Sequence, residues 1–195
     1  KVERAIREGR CLEDETRKKE LLEKLPQARI STIDSLCANL VRRYPLSAGV
    51  IPDFGIISQG DSTLIMQKCV RKALEETSAS LDDTQKSTLE DCIASNKMGL
   101  QSFISDMTLV TNISATRGAF DLEKNGKVEE AGIDGILTII RNRAYDMYKT
   151  AIYSMRMLDF AGIEASALRL LRQDAGDVVR NGIKSLLVDE YQDTN

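Results

Sequence analysis

Histidine is absent from the 195 residues, and the four cysteines, Cys11, Cys37, Cys69 and Cys92, include no C-x-x-C pair. That combination excludes a conventional zinc site. Three of the cysteines sit in helical patterns beside leucine or valine, so reduced, buried thiols and a cytoplasmic protein are expected rather than disulfides. No stretch approaches the roughly 18 apolar residues that a membrane span needs, and no secretory signal opens the chain, so no membrane partner is expected. Charge of one sign is lacking as well: 27 basic and 30 acidic residues leave a formal −3. A protein that coats nucleic acid by bulk charge is excluded, and any such contact must be local. Nor does a G-x-x-x-x-G-K-[ST] loop occur; the one Gly-Lys pair, Gly126-Lys127, is followed by Val128. The chain opens on Lys1 and stops at Asn195 directly behind a charged motif, which suggests a segment of a longer protein.

What is present is a 42% hydrophobic composition, enough for a buried core in one domain or one domain with an insertion. Residues 1–24 are dense in Lys, Arg and Glu with sparse apolar positions, the pattern of a solvated helix or helix pair, broken at Pro26. Ala28-Arg29-Ile30-Ser31-Thr32-Ile33 reads as a short strand. Leu36, Cys37, Leu40 and Val41 then recur at helical spacing until Tyr44-Pro45. Residues 47–60 read as an irregular connection anchored by Phe54, Ile56 and Ile57. Asp61 or Ser62 is expected to cap the next helix, with Leu64, Ile65, Cys69, Val70 and Leu74 on its apolar face. Helices follow at about 82–95, 100–113 and 119–130, and a long amphipathic one from Ile133 to Leu158. A helix carrying Leu168, Leu170 and Leu171 and a short one to Gly182 lead to Ile183-Lys184-Ser185-Leu186-Leu187-Val188, which suits a buried strand. The two strands are expected to pair in parallel across a very long crossover.

An apolar strand that runs into Asp189-Glu190 sets two carboxylates at a sheet edge. There the first can hold magnesium through its water shell, and the second can take the proton of an attacking water. Taken alone, such a strand end is a weak signal. Extended to Leu186-Leu187-Val188-Asp189-Glu190-Tyr191-Gln192-Asp193-Thr194-Asn195, it is similar, residue for residue, to the second helicase motif of the UvrD, Rep and PcrA family. Upstream, Ile30-Ser31-Thr32-Ile33-Asp34-Ser35-Leu36-Cys37 with Arg42-Arg43 resembles that family's DNA-contacting Thr-x-His-Ser-Phe segment. Residues 45–54 resemble the AddA and RecB-like branch, and Leu158-Asp159-Phe160 is similar to the Leu-Asp-Phe segment ahead of the second motif.

The resemblance implies a fold that is mostly α with a small parallel β element: part of a RecA-like P-loop NTPase α/β domain carrying a large helical insertion. Residues 1–60 would belong to the first RecA-like domain, 61–157 to the insertion, and 158–195 to the return that ends in the Walker B motif. It also implies an ATP-dependent DNA helicase of repair or recombination, using ATP and Mg2+, with single- or double-stranded DNA and a second helicase-nuclease subunit as partners. Asp189 would bind magnesium and cofactor, Glu190 would activate water and Gln192 would sense the γ phosphate. Ser31, Thr32, Asp34, Ser35, Arg42 and Arg43 would meet DNA. Asp34 stands where the family commonly has histidine, and an anion there repels phosphate, so it is expected to cap the following helix instead. Without the phosphate loop the catalytic set is incomplete, and the chain alone is expected to be inactive. Arg71, Lys72, Arg141, Arg143 and Lys149 read as solvated positions, and Tyr148 as core. From a different class, a non-catalytic helical protein-interaction module also fits the middle of the chain.

Overall fold

A computed structural model describes residues 2–8, 14–28, 30–96, 99–116, 132–183 and 186–189. By its internal contacts the chain divides into residues 1–36 and 37–195.

The first unit holds two charged helices, α1 (Val2–Arg7) and α2 (Glu15–Lys24), as the lysine- and glutamate-rich pattern predicts. Surface pairs one turn apart lace them: Arg7 to Glu3 at 2.8 Å, Arg4 to Glu8 at 2.6 Å and Lys24 to Glu20 at 2.7 Å. Each is exposed, so solvent and salt screen it and it contributes little to stability. Asp14 caps α2 by accepting from the Thr16 amide at 2.9 Å. Pro26 lies in a 3-10 turn, Leu25–Gln27, that closes the helix. Residues 30–32 form no strand, and Ile30 is 73% exposed. The strand expected there is therefore corrected: its backbone has no ladder partner among the described residues, and the Thr32 hydroxyl draws the chain into helix.

Helix α3 (Ile33–Arg43) carries on into the second unit, where a short α4 (Pro45–Ala48) ends at Gly49 with φ +72, the left-handed geometry that glycine adopts freely. The core of this unit is made by α5 (Gln59–Ala79), α6 (Asp83–Ala94), α7 (Leu100–Thr116) and α8 (Ile133–Ser154). From α5 it takes Met66, Val70, Ala73 and Leu74, from α6 Leu89, from α7 Phe103, Ile104 and Met107, and from α8 Ile136, Ile140, Ala144, Tyr148 and Ile152. The periodicity of the long helix is thus borne out, although it stops short of Leu158. Arg156 turns out of the helix at φ 56, and Met157–Leu158 leave as β2. That strand pairs in parallel with β1 (Gly55–Ile56), in register Gly55 to Met157 and Ile56 to Leu158.

A small parallel element is present, then, but between other residues than expected. Phe54 and Ile57 do anchor the irregular connection, at 4% and 5% exposure. The cap of α5 is Ser58, which accepts from the Asp61 amide at 3.1 Å, and not Asp61 or Ser62; Leu64 faces outward at 57% exposure. The helix expected at 119–130 lies wholly within 117–131, outside the described residues. Helices α9 (Phe160–Arg172) and α10 (Ala175–Gly182) follow β2. Of the strand expected over 183–188, Leu186, Leu187 and Val188 are exposed and unladdered, again without a partner strand among the described residues. Cys37, Cys69 and Cys92 are thiols, and Cys69 is buried; Cys11 lies outside the described residues. No helix among the described residues is long and apolar enough to cross a membrane.

Candidate functional site

At the start of α3 the Thr32 side chain organises the turn. Its hydroxyl accepts from the Ser35 amide at 3.2 Å and donates to the Ser35 hydroxyl at 2.9 Å. This is the arrangement of a helix N-cap, in which a side-chain oxygen meets an amide left without a helical partner. The capping role expected of Asp34 therefore belongs to Thr32, whose shorter side chain stands one step ahead of the helix. Asp34 lies in the first turn, half-buried, where a carboxylate is favoured by the positive end of the helix. Ser31, Thr32 and Ser35 are exposed, with the Ser35 amide and the Thr32 hydroxyl proton engaged in the cap. Hydroxyls and amides at a helix start are groups that hold phosphate without reading sequence.

Arg42 and Arg43 close the same helix and are exposed. Each guanidinium lies over a ring: Arg42 stands 5.3 Å from the centroid of Phe54, and Arg43 5.6 Å from that of Tyr44. The rings restrict both side chains without neutralising them. Other cations considered above are already engaged. Lys72 faces Glu76 at 3.8 Å, Arg143 donates to the buried Thr77 hydroxyl at 3.2 Å, and Arg71 reaches Gln101 at 3.5 Å.

At the other end, Asp189 is exposed behind an exposed apolar run, whereas Glu190 and Gln192 lie outside the described residues.

One polar cluster was not anticipated. The Tyr148 hydroxyl donates to Asp159 at 2.7 Å and stands 2.7 Å from the Ser62 hydroxyl, which with that proton so placed acts as donor. The other Asp159 oxygen caps α9 by accepting from the Gly162 amide at 2.7 Å. Burial first, and then the Asp159 carboxylate, push the Tyr148 phenol well above its ordinary range. A single chain of hydrogen bonds so ties α5, α8 and the start of α9. Asp159 ahead of Phe160-Ala161-Gly162 carries a cap signal in the sequence; nothing in the pattern points to Ser62 or Tyr148 as its partners.

Residues 4–195 match the UvrD/REP helicase N-terminal domain family. The chain belongs to the UvrD-like helicases. A curated relative of that group, described as a "Probable DNA helicase II homolog" from Mycoplasma capricolum subsp. capricolum, is 26% identical over 170 residues. The alignment takes in 85% of this chain and 20% of the relative, so the UvrD-like chain spans about a fifth of that protein's length. No solved structure matches it significantly.

Proposed function

We propose that this chain forms part of an ATP-dependent DNA helicase or translocase of the AddA and RecB-like branch, acting in DNA repair or recombination. The observation that carries the reading is the family match over 4–195, which takes in both the Thr32 turn and the Asp189-Glu190-Tyr191-Gln192 motif. In this reading residues 1–60 and 158–195 belong to the first RecA-like domain of a P-loop fold, and 61–157 to its helical insertion. The self-contained core of α5 to α8 supports that division.

Asp189 is an exposed carboxylate of the kind Mg2+ accepts through its water shell, since that ion gives up its waters reluctantly and needs few protein ligands. With ATP bound, the ion would neutralise charge between the phosphates. Glu190 would take the proton of the attacking water, and Gln192 would sense the γ phosphate. Ser31, Thr32, Asp34 and Ser35, with Arg42 and Arg43, would hold the DNA backbone. The hydroxyls serve as donors, the arginines as cations, and Asp34 holds the turn rather than phosphate.

No phosphate-cradling loop occurs in these 195 residues, so hydrolysis requires groups from elsewhere, and the chain alone should not turn over ATP. A helicase-nuclease partner subunit and a cytoplasmic location complete the reading. Its test is Glu190→Gln in the whole helicase. ATP binding should persist while DNA-stimulated turnover drops by roughly 10²–10⁴, the range for loss of a general base. Unchanged turnover removes Glu190 from the reaction.

A further inference from the structure

Between α8 and α9 lies a cleft of about 170 Å³, lined in part by the Tyr148 and Asp159 pair and by none of the residues proposed above for ATP or DNA. Tyr145, Tyr148 and Tyr153 line it from α8, and Ser166 and Arg169 from α9. Along α9 it continues into a second hollow, which shares Ala165 and Arg169 with the first and adds Arg172.

Two features mark this track. Several cations elsewhere on the helices pair with a carboxylate one turn away, as Arg4, Arg7, Lys24 and Lys72 do. Arg169 and Arg172, both exposed, meet no carboxylate among the described residues; Arg169 lies instead along Gly49, where even a Cβ would collide with its guanidinium. The aromatic wall is also partly open, since Tyr153 is 42% exposed although it stands in a helix with a well-filled core. Burial and the nearby Asp159 raise the Tyr145 phenol above its usual range, so that ring adds no negative charge, and the Asp159 carboxylate that also lines the cleft is held by the Tyr148 hydroxyl and the Gly162 amide. Lys149, on the same wall, lies 4.7 Å over the Tyr145 ring and 3.1 Å from Asp146, and so is already compensated.

Open aromatic faces beside unneutralised guanidiniums are what a flexible polyanion with planar side groups requires. Rings take bases by stacking whatever their sequence, and arginines take the phosphates between them. We propose that the α8–α9 cleft is a second contact for single-stranded nucleic acid, with a base against Tyr153 and neighbouring phosphates on Arg169 and Arg172. The choice of nucleic acid over an acidic peptide rests on the helicase reading. The location does not, because it follows from the cleft, the open ring and the two unpaired cations.

The test uses the full chain and a fluorescein-labelled 12-residue oligothymidylate, titrated by anisotropy over a range of salt. Arg169→Gln with Arg172→Gln should weaken binding severalfold and lower the salt slope by about 1.4, from roughly 0.7 per phosphate released on a single strand. Tyr153→Ala should weaken binding at least about fivefold for the base-bearing strand and leave an abasic strand unaffected, in line with the stacking contribution of one ring. Photolysis of a bromodeoxyuridine strand should crosslink to the peptide bearing Tyr153. The paired variant Arg42→Gln with Arg43→Gln reports separately on the start of the DNA path assigned above. If binding is absent, or depends on Arg42 and Arg43 but not on Arg169, Arg172 and Tyr153, the cleft is not a strand site. Competition by polyglutamate as effective as by unlabelled strand equally overturns it, because charge alone would then explain the binding. Helicase activity is judged by Glu190→Gln in the whole protein, so either proposal can fail without the other.

Discussion

At the residue scale, the molecule's most consequential side chain outside the proposed chemistry is Tyr148. Buried at 1% exposure, it would leave two partners wanting if its hydroxyl were removed. Tyr148→Phe should therefore cost about 1–3 kcal/mol, the range for stranding a buried polar group, read as a lowered denaturation midpoint. A loss under about 0.5 kcal/mol would show that water replaces the hydroxyl. The same phenol gives the fold a pH dependence whose sign is set. Its folded pKa lies above the unfolded value of 10.0, so the contribution is fully present below pH 10 and is lost as pH rises through the folded value. Tyr145 and Cys69 shift in the same direction, mainly through burial. Thermal stability should thus decline above about pH 10 in the wild type, and less in Tyr148→Phe. At the start of α3 the order of two variants separates the roles there. Thr32→Ala should cost about 0.5–2 kcal/mol as a lost cap, whereas Asp34→Asn should cost about 0.3–1 kcal/mol as a lost dipole interaction. The reverse order in thermal unfolding would return the cap to Asp34.

At the element scale, helices were legible and strands were not. The three- and four-residue spacing of Ile136, Ile140, Ala144, Tyr148 and Ile152 marks the buried face of α8, because a helix carries its own hydrogen bonds and needs only an apolar stripe to place it. A strand exists only through its neighbour. The apolar runs at 30–33 and 183–188 had the right composition, yet no ladder partner appears among the described residues. The pairing that does form, Gly55-Ile56 with Met157-Leu158, is two residues long and has no alternation to read. The site shows the same division. The Thr32 turn and the acidic motif could be read as contiguous strings, whereas Ser62, Tyr148 and Asp159, and the unpaired Arg169, meet only through packing. Close approach of α9 and α10 is also invisible in sequence. A Cβ on Gly176 would fall 2.6 Å from the Leu170 carbonyl oxygen and 2.7 Å from the Leu171 Cα, backbone atoms that cannot rotate away. Gly176→Ala should accordingly cost about 1–3 kcal/mol despite the better helix propensity of alanine, and a stabilised variant in chemical denaturation would refute the contact.

At the scale of the whole molecule, the apolar core lies in α5 to α8, and the 186–189 run that leads into the acidic motif is exposed. Hydrogen exchange should be slowest in α5, α7 and α8, where the apolar core lies, and fastest over 186–189, whose side chains are all exposed. Equal protection across these segments would mean that the exposed run is held by contacts not seen here. The short ladder between β1 and β2 also bears on how fast the molecule assembles. Arg156 reaches the Pro52 carbonyl oxygen across 104 residues of chain, and the strand pairing beside it joins equally remote segments. Closing so large a loop forfeits chain entropy before any reward, so the pairing should come late, after the helices have found one another. Loosening it with Leu158→Ala should mainly hasten unfolding and leave the refolding rate almost unchanged in stopped-flow traces. The seam between β1 and β2 would then act as the latch of a kinetic trap, setting how long the folded chain survives rather than how quickly it forms.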